Sequence, residues 1–253
     1  IKISYMTNNI YFIANWKMYG STSTLSSLNK LINLSKQKKY NKAKIIYFPP
    51  FTLIYNFMNK FKKTKISIGG QNCHHIENYG SFTGSISPKM LKELGCRYVI
   101  IGHSENRTAG ETDANINKKI LSALNKNLKI VFCIGETLKE KRKKITHTIL
   151  KNQINKGLKG IKNYKNILIA YEPVWSIGTG VIPKNNELET NVSNIRKILS
   201  KKTSVKLPIL YGGSVNDKNI SNLKNIRGIK GFLVGSASQN SKKFIDIIKK
   251  TIN

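Results

Sequence analysis

Glu172 follows the apolar run Ile167 to Tyr171 and precedes Pro173 and the segment Val174-Trp175-Ser176-Ile177-Gly178-Thr179-Gly180. Proline has no N–H for a parallel ladder, so it ends the strand and leaves the carboxylate at the strand's carboxyl end, where barrels and open α/β sheets do chemistry. A base is expected there. Gly178 and Gly180 let the following loop bend over it and bring N–H groups close to an anion. His103 follows the run Tyr98 to Ile101 by one glycine. If Ser104 caps a short helix at that point, the helix's positive end keeps the imidazole neutral and able to donate to a carbonyl. Asn15 and Lys17, two residues apart after the run Tyr11 to Ala14, are expected on one side of an extended chain, offering an amide and a cation to one pocket. Glu105 can hold Lys17 or be a plain ion-pair member. Two late turns, around Gly212-Gly213-Ser214 and Gly235-Ser236, expose backbone N–H groups of the kind that bind phosphate. Taken singly, these residues also read as a strand cap, a solvated lysine, a structural histidine and tight turns. Together they offer a base, a hydrogen-bond donor, a cation and three N–H clusters at one face.

Positioning so many groups at one face requires many strand ends. Short apolar runs recur at Tyr11 to Ala14, Ile45 to Phe48, Ile66 to Ile68, Tyr98 to Ile101, Ile130 to Ile134, Ile167 to Tyr171, Ile209 to Tyr211 and Phe232 to Val234. Between most of them apolar residues return at helical spacing, as in Leu25, Leu28, Leu31 and Ile32 or Ile116, Ile120, Leu121 and Leu124. Strand and helix therefore alternate with no linker or composition break, which predicts an α/β chain closed into one (β/α)8 barrel; 253 residues fit the roughly 250 that such a barrel takes. An open doubly wound sheet would carry G-x-G-x-x-G after its first strand, where this chain reads Asn15-Trp16-Lys17-Met18-Tyr19-Gly20. The barrel is expected over residues 9–253. Residues 1–8 are expected to be an extension, with Met6 read as the start and Ile1 to Tyr5 upstream of it, and they show no signal-peptide pattern.

Three features lie outside this set. The long polar stretch Gly69 to Pro88 holds Tyr79 and Phe82, more aromatic surface than a solvated loop needs, and is expected to dock on another subunit. His74 and His75 fall in it and are read as loop surface or interface. The three cysteines, Cys73, Cys96 and Cys133, are far apart with no C-x-x-C pair, which points to reduced thiols, a cytoplasmic setting and no zinc site. Cys133 has no adjacent histidine to make it a thiolate and is read as buried packing near the site.

Lys and Arg number 44 against 12 Asp and Glu, a formal charge of +32. That is enough to attract polyanions without specificity. The lysines are scattered with asparagine and isoleucine, as from Lys36 to Lys44, and are read as compositional bias of an A/T-rich coding sequence, with no specific nucleic-acid partner. No apolar run approaches the about 18 residues of a membrane span.

The motifs N-W-K-M at Asn15 to Met18, G-H-S-E at Gly102 to Glu105, C-I-G-E at Cys133 to Glu136, A-Y-E-P-V-W-S-I-G-T-G at Ala170 to Gly180, Y-G-G-S-V at Tyr211 to Val215 and G-F-L-V-G-S-A-S at Gly231 to Ser238 fall in one order. In that combination the chain, from about Tyr11 to its end, resembles the triosephosphate isomerases. The resemblance implies a homodimeric glycolytic and gluconeogenic enzyme that interconverts dihydroxyacetone phosphate and D-glyceraldehyde 3-phosphate with no metal or organic cofactor. A carboxylate base, a neutral histidine and a closing loop are the established pattern of that family. By that resemblance Glu172 removes the proton beside the carbonyl and His103 polarises the carbonyl and shuttles protons. Lys17 and Asn15 stabilise the enediolate, and Glu105 organises Lys17. Gly178, Ser214, Gly235 and Ser236 hold the phosphate. Ile177 and Leu233 are expected to close over Glu172.

Some positions depart from the family pattern. Asn106 stands where arginine is usual and Ser85 where glutamate is usual, so a salt bridge across the dimer is lost with both partners at once. Ser236 replaces a glycine but keeps its N–H. Val181-Ile182-Pro183, the lid's second hinge, lacks a frequent lysine. Another phosphate-binding barrel, such as a sugar-phosphate isomerase or lyase, would account for Ser214 and Gly235 but not for Asn15, Lys17, His103 and Glu172 together.

Overall fold

The computed structural model describes residues 9–253; the expected extension at residues 1–8 lies outside the described residues. Eight parallel strands close into a barrel in sequence order, β1 to β8. They are β1 (Ile10–Asn15), β2 (Ala43–Phe48), β3 (Ser67–Gly70), β4 (Tyr98–Ile101), β5 (Lys129–Ile134), β6 (Ile167–Tyr171), β7 (Ile209–Tyr211) and β8 (Ile229–Val234). Helices run back along the outside, among them Ile54–Phe61, Asp113–Asn125, Asn185–Ser200 and Ser241–Ile252.

Strand alternation divides the core into two layers. Ile13, Ile46, Phe48, Tyr98, Ile100, Val131, Cys133, Leu168, Ala170, Leu210 and Leu233 fill the barrel's interior. Their neighbours Phe12, Ala14, Tyr47, Val99, Phe132, Ile169, Tyr211 and Val234 face outward into the shell under the helices. Burial of each valine, leucine, isoleucine or phenylalanine among them stabilises the fold by about 1.5–3 kcal/mol, so two contiguous layers hold the barrel walls. The alternation also aims the site. Continuing the interior set to the strand ends and one step beyond gives Asn15, the last residue of β1, after Ile13, then Glu172 after Leu168 and Ala170, Gly212 after Leu210, and Gly235 after Leu233.

β4, β6 and β7 coincide with their apolar runs, β1, β2 and β5 extend theirs by a residue or two, and β3 and β8 depart furthest. β3 runs on to Gly70, past the expected end at Ile68, because Gly69 and Gly70 pair with Tyr98 and Val99 of β4; a Cβ on Gly69 would lie 2.3 Å from the Phe48 ring that fills the interior there. β8 begins at Ile229 rather than Phe232, its first turn carrying Lys230 and the glycine Gly231. A Cβ on Gly231 would meet the Tyr11 carbonyl at 2.2 Å. Both segments are strands by pairing with their neighbours, not by apolar content.

Helix starts follow local chemistry. The Ser87 and Thr112 side chains accept from the N–H groups of Met90 and Asn115, and Thr137 with Glu140 forms a capping box. Among the described residues no helix is long and apolar enough to cross a membrane. Cys73, Cys96 and Cys133 are free and buried.

Candidate active site

A cavity of about 650 Å³ opens at the carboxyl ends of the strands. Asn15, Lys17, His103, Glu105, Glu172, Gly178, Ser214, Gly235 and Ser236, every site residue expected from the sequence, line it. Ile177 and Leu233 line it too.

Glu172 is 2% exposed, and its carboxyl is raised above the ordinary value by burial, an effect opposed by His103, by the Cys133 thiol, by the Ser104 N–H and by Lys17. Two glycines make its seat. A Cβ on Gly135 would lie 1.7 Å from the Glu172 carbonyl, and one on Gly212 would lie 2.8 Å from its Cγ. Beneath it Cys133 is fully buried, and burial pushes the thiol well above its usual range. It packs in the interior layer with Ala170 and Val131.

His103 Nε2 lies 3.5 Å from Glu172 Oε1. The short helix Ser104–Thr108 does start here, but the N-cap is His103 itself, not Ser104 as expected: its Nδ1 accepts from the Glu105 N–H at 3.3 Å. Gly102, at φ 76°, turns the chain out of β4 so that the imidazole can fold back over the helix end. An accepting Nδ1 carries no proton, so the ring's proton sits on Nε2 and points into the cavity.

Lys17 reaches the cavity by a different route from the one its spacing implied. β1 ends at Asn15, and Lys17 has φ 55°, so strand alternation does not extend to it. Asn15 Oδ1 instead accepts from the Lys17 N–H at 3.1 Å, and Gln71 Nε2 donates to the Lys17 carbonyl at 2.8 Å and the Phe48 carbonyl at 2.9 Å. A left-handed lysine costs about 1–2 kcal/mol, and strain of this kind collects at functional sites. Lys17 Nζ then meets Glu105 Oε1 at 2.6 Å.

Gly178 and Gly180 both take left-handed backbone, φ 72° and 78°, in the loop after the turn Val174–Ser176. The loop is tied down by residues that sequence reading gave no role. Glu136, fully buried, accepts from Trp175 Nε1 at 2.8 Å and from the Tyr171 hydroxyl at 3.1 Å. Asn191 donates to that hydroxyl at 2.8 Å, and Lys141 Nζ sits 3.5 Å over the Trp175 ring. Burial raises the Glu136 carboxyl, against the hydrogen bonds it accepts and the Lys141 charge. Its place in the C-I-G-E motif was the only signal available in the sequence. Behind the loops, Arg107 donates to the carbonyls of Gly102 and Cys133 and pairs with Asp113 at 2.7 Å.

In the long loop after β3, His74 stacks on Phe82 at 4.4 Å and on His75 at 4.3 Å between ring centres. Tyr79 and Phe82 remain exposed. Neither histidine reaches the cavity.

A barrel with a pocket at the carboxyl ends of its strands, holding a buried carboxylate opposite a histidine N–H and a cation, is a (β/α)8-barrel enzyme. The family model for triosephosphate isomerase matches residues 10–251. The triosephosphate isomerase of Dictyoglomus thermophilum is 44% identical over 244 residues, covering 93% of this chain and 97% of that protein. That of Geotalea uraniireducens is 41% identical over 243 residues, covering 93% and 96%. The crystal structure of triosephosphate isomerase from Bartonella henselae superimposes with a TM-score of 0.88 at 31% identity, covering 97% of this chain and all of that one. The chain belongs to the triosephosphate isomerase family.

Proposed function

We infer that this chain interconverts dihydroxyacetone phosphate and D-glyceraldehyde 3-phosphate, the isomerisation shared by glycolysis and gluconeogenesis. The observation that carries the assignment of roles is the approach of Glu172 Oε1 to His103 Nε2, 3.5 Å, in one cavity with the glycine-rich turns. Glu172 takes a proton from the carbon beside the carbonyl. Water weakens a carboxylate as a base, and burial removes that water. His103 donates its Nε2 proton to the carbonyl oxygen and shuttles protons between the two oxygens of the enediolate. Lys17 and Asn15 stabilise the developing oxyanion, an effect worth about 3–4 kcal/mol for one well-placed donor. Glu105 fixes Lys17. Glu172 returns the proton to the neighbouring carbon, so the reaction balances without a redox partner. Backbone N–H groups of Gly178, Ser214, Gly235 and Ser236 hold the phosphate. The lid from Trp175 to Gly180 excludes water and keeps the enediolate from eliminating phosphate.

The catalytic unit is residues 9–253, working as a homodimer joined through the loop Gly69 to Pro88, which presents Tyr79 and Phe82 to solvent. Three free buried cysteines fit the reducing cytoplasm. The test is an assay of the purified protein for triose phosphate interconversion beside Glu172→Gln. Wild-type turnover that the substitution removes supports these roles; no wild-type turnover, or an unchanged rate in the variant, overturns them.

A further inference from the structure

Ser176 ends the turn Val174–Ser176, the first hinge of the lid, and is fully buried. Its Oγ lies 2.6 Å from the Val181 carbonyl, 3.0 Å from the Tyr211 hydroxyl and 3.3 Å from the Ser214 N–H. A hydroxyl has one proton and two lone pairs. A carbonyl can only accept, so the proton belongs to Val181; Tyr211 and the Ser214 N–H then donate to the lone pairs. The hydroxyl is saturated, and it joins the lid's first hinge, its second hinge and the turn after β7. Gly213 allows the approach, since a Cβ there would lie 2.7 Å from Ser176 Oγ and 2.3 Å from the Tyr211 hydroxyl.

Ser214 N–H is also one of the donors assigned to phosphate above, and a single proton cannot serve Ser176 Oγ and a phosphate oxygen at full strength. At 3.3 Å the bond to Ser176 is long, and a charged oxygen is the stronger acceptor. We propose that Ser176 is a positioning residue that competes with substrate phosphate for the Ser214 N–H, so that phosphate binding unpicks one of the three bonds holding the lid's hinges. The inference rests on the reading of the Ser214 turn as a phosphate cradle. Phosphate affinity is set lower than the cradle alone would give, and the hinge loosens as the anion arrives.

The test is the inhibition constant of inorganic phosphate against triose phosphate isomerisation, with Trp175 fluorescence read alongside. Ser176→Ala should bind phosphate roughly threefold or more tightly, because the N–H no longer gives up a partner. Ser176→Cys, which keeps the branching of the side chain with a larger and weaker acceptor, should shift the same way. Tyr211→Phe removes another bond to the same hydroxyl but leaves the Ser214 N–H engaged, so its inhibition constant should match wild type. The fluorescence change that phosphate produces in wild type should shrink in Ser176→Ala. An unchanged or weaker phosphate affinity in Ser176→Ala and Ser176→Cys overturns the proposal, as does an equal gain in Tyr211→Phe, which would mean general loosening. If wild type itself is not inhibited by phosphate, the cradle reading fails first; if wild type is inhibited and the variants match it, only the competition fails.

Discussion

Moving a carboxylate out of water raises the free energy of its charged form, and Glu172, buried under the lid, holds its proton more tightly in the folded chain than in the unfolded one. The relative stability from that bound proton is fully present below the unfolded value and is lost as pH rises through the raised folded value. At neutral pH the ionised side chain therefore costs stability while serving as the base. Glu172→Gln should melt at a higher temperature than wild type near pH 7, by a margin that narrows toward pH 4, while kcat falls at least about 1000-fold. Thermal melts across that range and an assay check both. In wild type the acid limb of kcat/KM should lie above the ordinary glutamate value of 4.5, since only the ionised form is a base. A second prediction concerns the seat of that carboxylate. A methyl group on Gly212 would stand 2.8 Å from Glu172 Cγ. Gly212→Ala should lower kcat about 10- to 100-fold, with KM and far-UV circular dichroism near wild type, because a displacement of about 1 Å is enough to lose alignment.

The lid shows what one element demands of its sequence. Gly178 and Gly180 have open space around a would-be Cβ, so their requirement is conformational and not steric. Gly180→Ala should strain the left-handed turn by about 1 kcal/mol and slow isomerisation, yet lower the melting temperature by only about 2 °C, because that strain is small against the unfolding entropy of a 253-residue chain. Steady-state rates beside a melt separate the two effects. Those glycines were legible in the sequence, as were Glu172 and His103, because a strand end followed by Pro or Gly is a local signal. The barrel was legible from a different signal: eight short apolar runs recur with helically spaced segments between most of them. What stayed hidden depends on contacts between distant segments. Glu136 meets Trp175 across 39 positions, and Ser176 meets Ser214 across 38. The left-handed Lys17 and the cap made by His103 were missed because side chains overrode the expected backbone: Asn15 accepts from the Lys17 N–H, and the imidazole takes the place a serine usually fills.

At the scale of the molecule, two properties follow from surface. The loop after β3 exposes Phe82 while its face packs on His74, so a charge there should disrupt docking without touching the barrel. In the proposed homodimer, Phe82→Asp should shift gel filtration toward monomer across dilution, and with Ser85 and Asn106 standing where the family pattern has a charged pair, wild type should dissociate at measurable concentrations. The other property is the field. With a net charge of +32 on the chain and Lys17 in the cavity lining, the field favours approach of a dianion and raises the encounter rate in low salt. Screening shortens its reach to about 10 Å at 0.1 M ionic strength and about 3 Å at 1 M, so kcat/KM for D-glyceraldehyde 3-phosphate should fall steadily between those conditions. Phosphate competition must be kept out by varying a chloride salt. Uncharged D-glyceraldehyde has no field to follow, and its kcat/KM should stay flat over the same series. Parallel declines for both substrates would place the salt effect in the lid or the fold and remove the field as its cause.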